Sequence, residues 1–381
     1  MTPYAQALAR ARQKPDFIDL ANHSYHAYEF IHPAEFLEPL WAEYLKHRCY
    51  QPQALGPFRT RTSLANWYRA RNCTAAPENF FLTPGTSDAY RLLFTLFCPL
   101  NKTIALPLPA YPLFEHIAAL AERTVEFYHH AVDHNWKLDA ESLDQLSEDV
   151  AILVLIEPNN PTGRIYNSAE VSQLRSWAEK RGVILIIDEV FEAFQFAPLL
   201  KYPRALDFPQ NRCFTLNGLS KRWAAPDFKL AWGLVSGPSE GLAQAIDQLD
   251  TALDAFLPVS PFSCLLAEHL LQNPNQMSEV VMRELVQNRE ILEKLFSPTN
   301  GILTTTLPEG GIHVLLQTPF RDDEALAVEL LDKWSLHTMP GYLFGLEDQG
   351  FLCLSLLLPA PLFRKGVQRL AQALHQKLGQ A

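Results

Sequence analysis

Basic charge is scarce in this chain: its 381 residues carry 32 Lys and Arg against 42 Asp and Glu, a formal net charge of −10. General nucleic-acid binding needs a basic face, so that class is excluded, although a local anion site is not. Long hydrophobic runs are also missing. The longest, AILVLI (151–156) and VILII (183–187), are strand-sized, far short of the roughly 20 residues that cross a bilayer as a helix. The N-terminal MTPYAQALARARQKPDF lacks the apolar stretch of a secretory signal. Six cysteines, at 49, 73, 98, 213, 264 and 353, form no CxxC pair and no His/Cys group at metal spacing. They read as reduced thiols, with no metal site. There is no internal repeat and no low-complexity segment. A soluble, cytoplasmic protein is expected.

What the chain does have is a large apolar share, 48%, enough for one large domain with a smaller one. NFFLTP (79–84), KTIALP (102–107), AILVLIEP (151–158), VILIIDE (183–189), RCFTLNG (212–218) and LAWGLVS (230–236) read as strands. Helical patterns fall between them over 87–97, 111–124 and 168–182, the last with Asn167 or Ser168 as N-cap and Gly182 as its stop. Strands buried on both faces and alternating with helices predict a mostly parallel sheet in an α/β fold. Beyond about residue 245 the pattern turns to α+β, with helices near 260–273 and 321–334 and apolar runs at 310–317 and 350–358.

Ligands of such sheets sit beyond the carboxyl ends of the strands, and the loops there hold unusual residues. Gly85, Thr86 and Ser87 open a helix, as an ordinary N-cap or as a phosphate site built from backbone N–H groups and hydroxyls. Tyr111, flanked by prolines, is a core residue or a flat face for a ring to stack on. In EPNNPTGRIY (157–166), two prolines and a glycine preset the path around Asn160. Asp188 ends the most apolar strand, where a carboxylate caps the next element or needs a positive partner. Lys221 follows Ser220 in a stretch short of acids, and a desolvated lysine there can attack a carbonyl. A phosphate cradle, a stacking ring, an amide, a buried carboxylate and an aldehyde-trapping lysine together fit one cofactor, pyridoxal 5′-phosphate.

These pieces also resemble, in order, those of the class I/II aminotransferases, fold type I pyridoxal phosphate enzymes: GTS (85–87), PAYP (109–112), NNPTG (159–163), DEVF (188–191), SK (220–221), PEGG (308–311) and PGYLFG (340–345). The likeness runs over about 50–358. It implies a large cofactor-binding domain over 46–250 with a mostly parallel seven-stranded sheet between helices, and a smaller α+β domain over 251–381 to which residues 1–45 contribute. By the same resemblance Lys221 is the Schiff-base lysine and proton carrier, and Asp188 pairs with the ring nitrogen. Asn160 binds the ring 3-oxygen and Tyr111 stacks on the ring. Gly85, Thr86, Ser87 and Ser220 hold the phosphate. Tyr50 resembles a tyrosine that reaches the neighbouring subunit's phosphate, which implies a homodimer.

Three positions depart from the family pattern. Phe191 stands where a tyrosine donates to the 3-oxygen. Lys229 stands where an arginine grips the phosphate, keeping the charge without the bidentate fork. Cys353 stands where an arginine binds the substrate carboxylate, so the register slips there, another cation substitutes, or the substrate lacks an ordinary α-carboxylate. Arg59, Arg61, His23 and His26 are the candidate substitutes, and Tyr25, Tyr28, Phe30 and Trp223 the candidate apolar surroundings. The expected activity is transfer of an amino group from an amino acid or amine to a keto acid or aldehyde. A decarboxylase or lyase on the same scaffold, or a cofactor-binding non-enzyme, is the alternative.

Overall fold

The computed structural model describes residues 2–48, 50–196, 204–274, 276–295, 305–347 and 349–379. Its strands are β1 (Ile18–Asp19), β2 (Phe80–Thr83), β3 (Thr103–Leu108), β4 (Thr124–Ala131), β5 (Lys137–Leu138), β6 (Val150–Ile156), β7 (Ile184–Asp188), β8 (Cys213–Gly218), β9 (Ala231–Ser236), β10 (His313–Gln317), β11 (Leu336–His337), β12 (Met339–Pro340) and β13 (Phe351–Ser355). The large sheet has the order β2-β9-β8-β7-β6-β3-β4-β5. From β8 to β4 every neighbouring pair is parallel, whereas β9 runs against both β2 and β8.

Burial on both faces explains the unbroken apolar runs. Ile152, Val154 and Ile186 point to one side, against Leu93 and Phe94 of helix Thr86–Phe97 and Leu249 of helix Leu242–Asp254. Leu153, Leu155, Leu185 and Ile187 point to the other, against Leu174 and Trp177 of helix Ser168–Arg181. Burying one such Leu or Ile contributes about 1.5–3 kcal/mol. The Ser168–Arg181 helix starts where expected. The Asn167 side chain accepts from the N–H groups of Ala169 and Glu170, Glu170 answers at the Asn167 N–H, and Gly182 closes the other end at φ 63°.

Two expectations need correction. The helix predicted over 111–124 spans only Phe114–Leu120, and its last residue begins β4. This strand escaped the sequence reading because Glu126, His129 and His130 interrupt its apolar residues on a strand near the sheet edge. With β4 the sheet has the seven strands expected, and the two-residue β5 adds an eighth, antiparallel to β4. The smaller sheet is antiparallel with order β10-β13-β12. The chain's beginning packs on its end: β1 pairs with β11, and Tyr4, Ala7, Ala11 and Leu20 share a core with Leu330, Leu354, Phe363 and Leu370. Cys73, Cys98, Cys213, Cys264 and Cys353 are free and buried, while Cys49 lies outside the described residues. Among the described residues no helix is long and apolar enough to cross a membrane, and no group of acids, His or Cys is placed to hold a metal ion.

Candidate active site

A cavity of about 390 Å³ opens at the carboxyl ends of β6, β7 and β8, closed from the far side by residues of the small sheet. Gly85, Thr86, Ser87, Tyr111, Asn160, Asp188, Phe191, Ser220, Lys221 and Lys229 all line it. Segments spread over 145 residues of sequence are therefore brought to one place by the strand order.

At one end of the cavity, Gly85 is the N-cap of helix Thr86–Phe97, whose first-turn N–H groups lack intrahelical partners. A Cβ built on Gly85 would stand 3.5 Å from Lys229 Nζ and 3.2 Å from Asp88 Oδ2. With no side chain at Gly85, that space between a helix N-terminus and an ammonium is open to an anion. Lys229 adopts φ 48° after the short 3-10 turn Pro226–Phe228.

On the cavity floor, Asp188 ends β7 in register with Ile156 and Leu216. Its Oδ1 accepts from the Val190 N–H at 3.0 Å and its Oδ2 from the Tyr90 hydroxyl at 3.0 Å. Burial raises its pKa to about 6, opposed by those two donors and by the charge of Lys221. Burial also lowers the Lys221 pKa, opposed by Asp188. The lysine is enclosed by rings, with Phe191 centred 5.4 Å and Tyr25 5.9 Å from Nζ. Next to it, Arg222 donates twice to Glu192, at 2.7 and 2.8 Å, and Arg71 donates to the same carboxylate at 2.7 Å. This buried clamp anchors the backbone that carries Lys221.

The Asn160 loop is built by mutual packing with PEGG. Gly163 N–H donates to Asn159 O, while Gly163 O accepts from the N–H groups of Glu309 and Gly310. Glu309 also pairs with Arg164 and accepts from Ile165 N–H. Gly163 has φ +67°, and a Cβ there would lie 2.3 Å from Pro308 Cβ. Held by this frame, Asn160 faces the cavity with a buried side-chain oxygen that has no partner in the chain. An orphaned amide, an anion cradle beside Lys229, a buried carboxylate and a desolvated lysine in one cavity match the donor set of pyridoxal phosphate. The residues fit that cofactor.

The far wall differs from expectation. Cys353 is fully buried among Trp136, Leu315, Phe344 and Phe351 and is itself outside the cavity lining, its place there taken by Met339 and Phe344. Of the substitutes considered, only His23 lines the cavity. Arg59 pairs with Glu268 at 2.7 Å, Arg61 donates to the carbonyls of Gly56 and Pro77, and His26 lies 3.4 Å from Asp227. Tyr25, Phe30 and Trp223 are core residues, and neither they nor Tyr28 line the cavity. His313, which the sequence reading passed over, does line it, as the first residue of β10. Tyr90 was also missed; its position four residues after Thr86 puts it on the same helix face, the one signal available. Tyr50 is not in this cavity. It is 74% exposed and lines a separate groove with Tyr44, His47 and Arg59.

Comparison with known proteins agrees with the geometry. The family model for aminotransferase class I and II matches residues 15–370. Nicotianamine aminotransferase 1 of Oryza sativa subsp. japonica is 25% identical over 283 residues, 71% of this chain but only 57% of that protein. Tyrosine aminotransferase of Mus musculus is 22% identical over 87% of this chain and 74% of its own length. The solved alanine aminotransferase of Pyrococcus furiosus superposes with a TM-score of 0.88 at 19% identity, covering 98% of this chain and 95% of that one. With the sheet order, the cavity and a family match over nearly the whole length in agreement, the chain belongs to the class I and II aminotransferases, pyridoxal phosphate-dependent enzymes of fold type I.

Proposed function

We propose that this protein moves an amino group from an amino acid or amine to a keto acid or aldehyde, with Lys221 carrying the proton at the reacting carbon. The observation that supports this most directly is Lys221 itself, half-buried in the wall of the cavity with its pKa lowered by desolvation. When bound, pyridoxal phosphate supplies an aldehyde that captures amines and a ring that accepts electron density from the reacting carbon. The chain does the rest. Asp188, held by Tyr90 and Val190, is placed to pair with the ring nitrogen and keep it protonated. Asn160 would bind the ring oxygen and Tyr111 would stack on the ring, while Phe191 packs beside Lys221 without a hydroxyl to offer. Gly85, Thr86, Ser87, Ser220 and Lys229 would hold the phosphate. Lys221 Nζ would take up the proton from the donor's reacting carbon and hold it for return.

The assembly we propose is a homodimer, cytoplasmic, in which Tyr50 reaches the partner's phosphate. Its exposure outside its own cavity and the exposed Trp41, Leu45, Phe58 and Phe256 support that reading. The rice and mouse relatives are named for nicotianamine and tyrosine, which makes amino acids the first donors to try. The test is the visible spectrum of the protein loaded with pyridoxal phosphate, before and after a panel of amino acids and simple amines. Conversion to pyridoxamine phosphate by some donor is expected, with Lys221→Ala slower by at least about 10³-fold. A Lys221→Ala variant that converts donors as fast as wild type would refute the proposal.

A further inference from the structure

Resting on the aminotransferase reading, we propose that His23 and His313 form the subsite beside the reacting carbon and that this subsite receives an uncharged hydrogen-bonding group. The preferred amino donor is then a 2-amino alcohol, a primary amine with a hydroxymethyl group where an amino acid has its carboxylate.

The small sheet sets this wall. His313 pairs with Ser355 across β10 and β13, Leu315 with Cys353, and Met339 of β12 with Cys353. Directly opposed residues share a face, so His313, Leu315, Cys353 and Met339 look the same way. Met339 and His313 line the cavity, which makes this its wall. The wall is apolar except at its His313 end. There His23, arriving from the segment after β1, meets His313 edge-on, with ring centroids 5.7 Å apart at 68°.

Both rings have hydrogen-bonding capacity left over. His23 Nδ1 lies 3.3 Å from the Ala21 carbonyl, which fixes Nδ1 as donor and leaves Nε2 as an acceptor. His313 is only 7% exposed, and its Nε2 has no partner. A buried polar atom of that kind is normally satisfied, and the cavity is where its partner would come from.

The charge state selects the partner. Burial, Lys221 and, for His313, the neighbouring His23 all push these imidazoles below the ordinary histidine range. The hydrogen bond to the Ala21 carbonyl and, less, Asp19 act the other way on His23, but the Asp19 carboxylate is already engaged by His337 and the Ala21 N–H. Two neutral rings offer an N–H and a lone pair, which suit a hydroxyl as donor and acceptor. A carboxylate would find at most one neutral N–H, an apolar wall and no guanidinium, since among the described residues lining the cavity the lysines are Lys221 and Lys229 and no arginine is present. It would have to bring a proton with it, or remain desolvated and unpaired.

The transfer balances without an outside oxidant. A donor R–CH(NH2)–CH2OH loses its amino group and carbon-bound hydrogen to become R–CO–CH2OH. The acceptor carbonyl compound gains the same amino group and hydrogen and gives up its oxygen to the donor's carbon by way of water.

The experiment uses the loaded enzyme and two matched pairs, phenylalaninol with phenylalanine and alaninol with alanine. Single-turnover spectra give kcat/KM, and calorimetry in two buffers of different ionisation enthalpy counts protons taken up with the unreactive 2-amino-2-methylpropanol and 2-methylalanine. Wild type should prefer each alcohol by roughly 10-fold or more, and the unreactive alcohol should bind without proton uptake. His313→Phe should erase the preference mainly through KM, and His313→Gln, which keeps a hydrogen-bonding end, should restore part of it. Preference for the amino acids, uptake of a proton with 2-methylalanine at equal or better affinity, or an unchanged preference in His313→Phe would each overturn the proposal. If no donor converts, the aminotransferase reading fails, and the calorimetry still decides whether the histidines choose the neutral group.

Discussion

Asp188 is held at the end of β7 by two hydrogen bonds and favoured by the charge of Lys221, in a site whose burial works against its own charge. Its pKa in the folded chain, about 6, lies above its ordinary 3.8. A raised folded-state pKa makes a stability contribution that is complete below the unfolded value and lost as pH rises through the folded one. The ionised carboxylate therefore costs the cofactor-free protein about 3 kcal/mol above pH 6. Asp188→Asn keeps the shape and removes the charge. Without cofactor, the variant should be more stable than wild type at pH 8 by an amount approaching that figure, and the gain should vanish near pH 4. Urea unfolding at both pH values checks this, and an equal gain at both would show that the carboxylate is not strained by burial. Added pyridoxal phosphate should reverse the order, because the cofactor's ring nitrogen supplies the partner that burial demands. The carboxylate was legible in the sequence because an acid ending a run such as VILII has few structural reasons to be there. Tyr90 and His313 were not legible: one tyrosine on a helix and one histidine on a strand look like core until the face each presents is known.

Among the elements, the loop 157–166 and the segment 308–311 explain each other. Gly163 needs a positive φ and leaves no room for a Cβ against Pro308, and a Cβ on Gly310 would lie 2.6 Å from Pro158 Cγ. Glycine stands at Gly163 and Gly310 because two backbones meet there, and the contact carries the small-sheet wall to the Asn160 side of the cavity. Gly163→Ala should therefore destabilise the protein by about 2 kcal/mol or more. It should also weaken pyridoxal phosphate binding, although Gly163 is not among the cavity-lining residues. Denaturant unfolding and a cofactor titration measure the two effects; a stable variant with unaltered cofactor affinity would mean the loop is set by other contacts. Motifs of this kind can be read from sequence because their chemistry is local. Strand β4 and the span of the helix before it were misjudged for the opposite reason. Glu126 and His130 stand on the same face as buried Tyr128, their polar atoms met by Thr103, Ser147 and Tyr166, and only those partners and the pairing with β3 reveal the strand.

For the whole molecule, the question is whether one chain makes a complete site. Within one chain the cavity has Gly85, Ser220 and Lys229 for an anion, while Tyr50 stands in another groove, exposed beside further exposed apolar side chains. A tyrosine so placed serves the proposed dimer only if the two-fold axis carries it to the partner's cavity, and then each site draws on both chains. Complementation tests that arrangement directly. Lys221→Ala removes the reacting amine, and Tyr50→Ala removes the reach across the interface, so each variant alone should be inactive or weak. In a mixed dimer, one site has Lys221 from one chain and Tyr50 from the other, and the second site lacks both. If equal amounts are refolded together, half the dimers are mixed and half the sites in these are whole, so activity should return to about a quarter of wild type. Tyr50→Phe should retain the shape and lose only the hydroxyl's contribution, raising the cofactor dissociation constant without separating the subunits. Activity in the mixture no greater than the mean of the two variants would place Tyr50 outside the partner's site and leave the phosphate to Lys229 and the Gly85–Ser87 turn of a single chain.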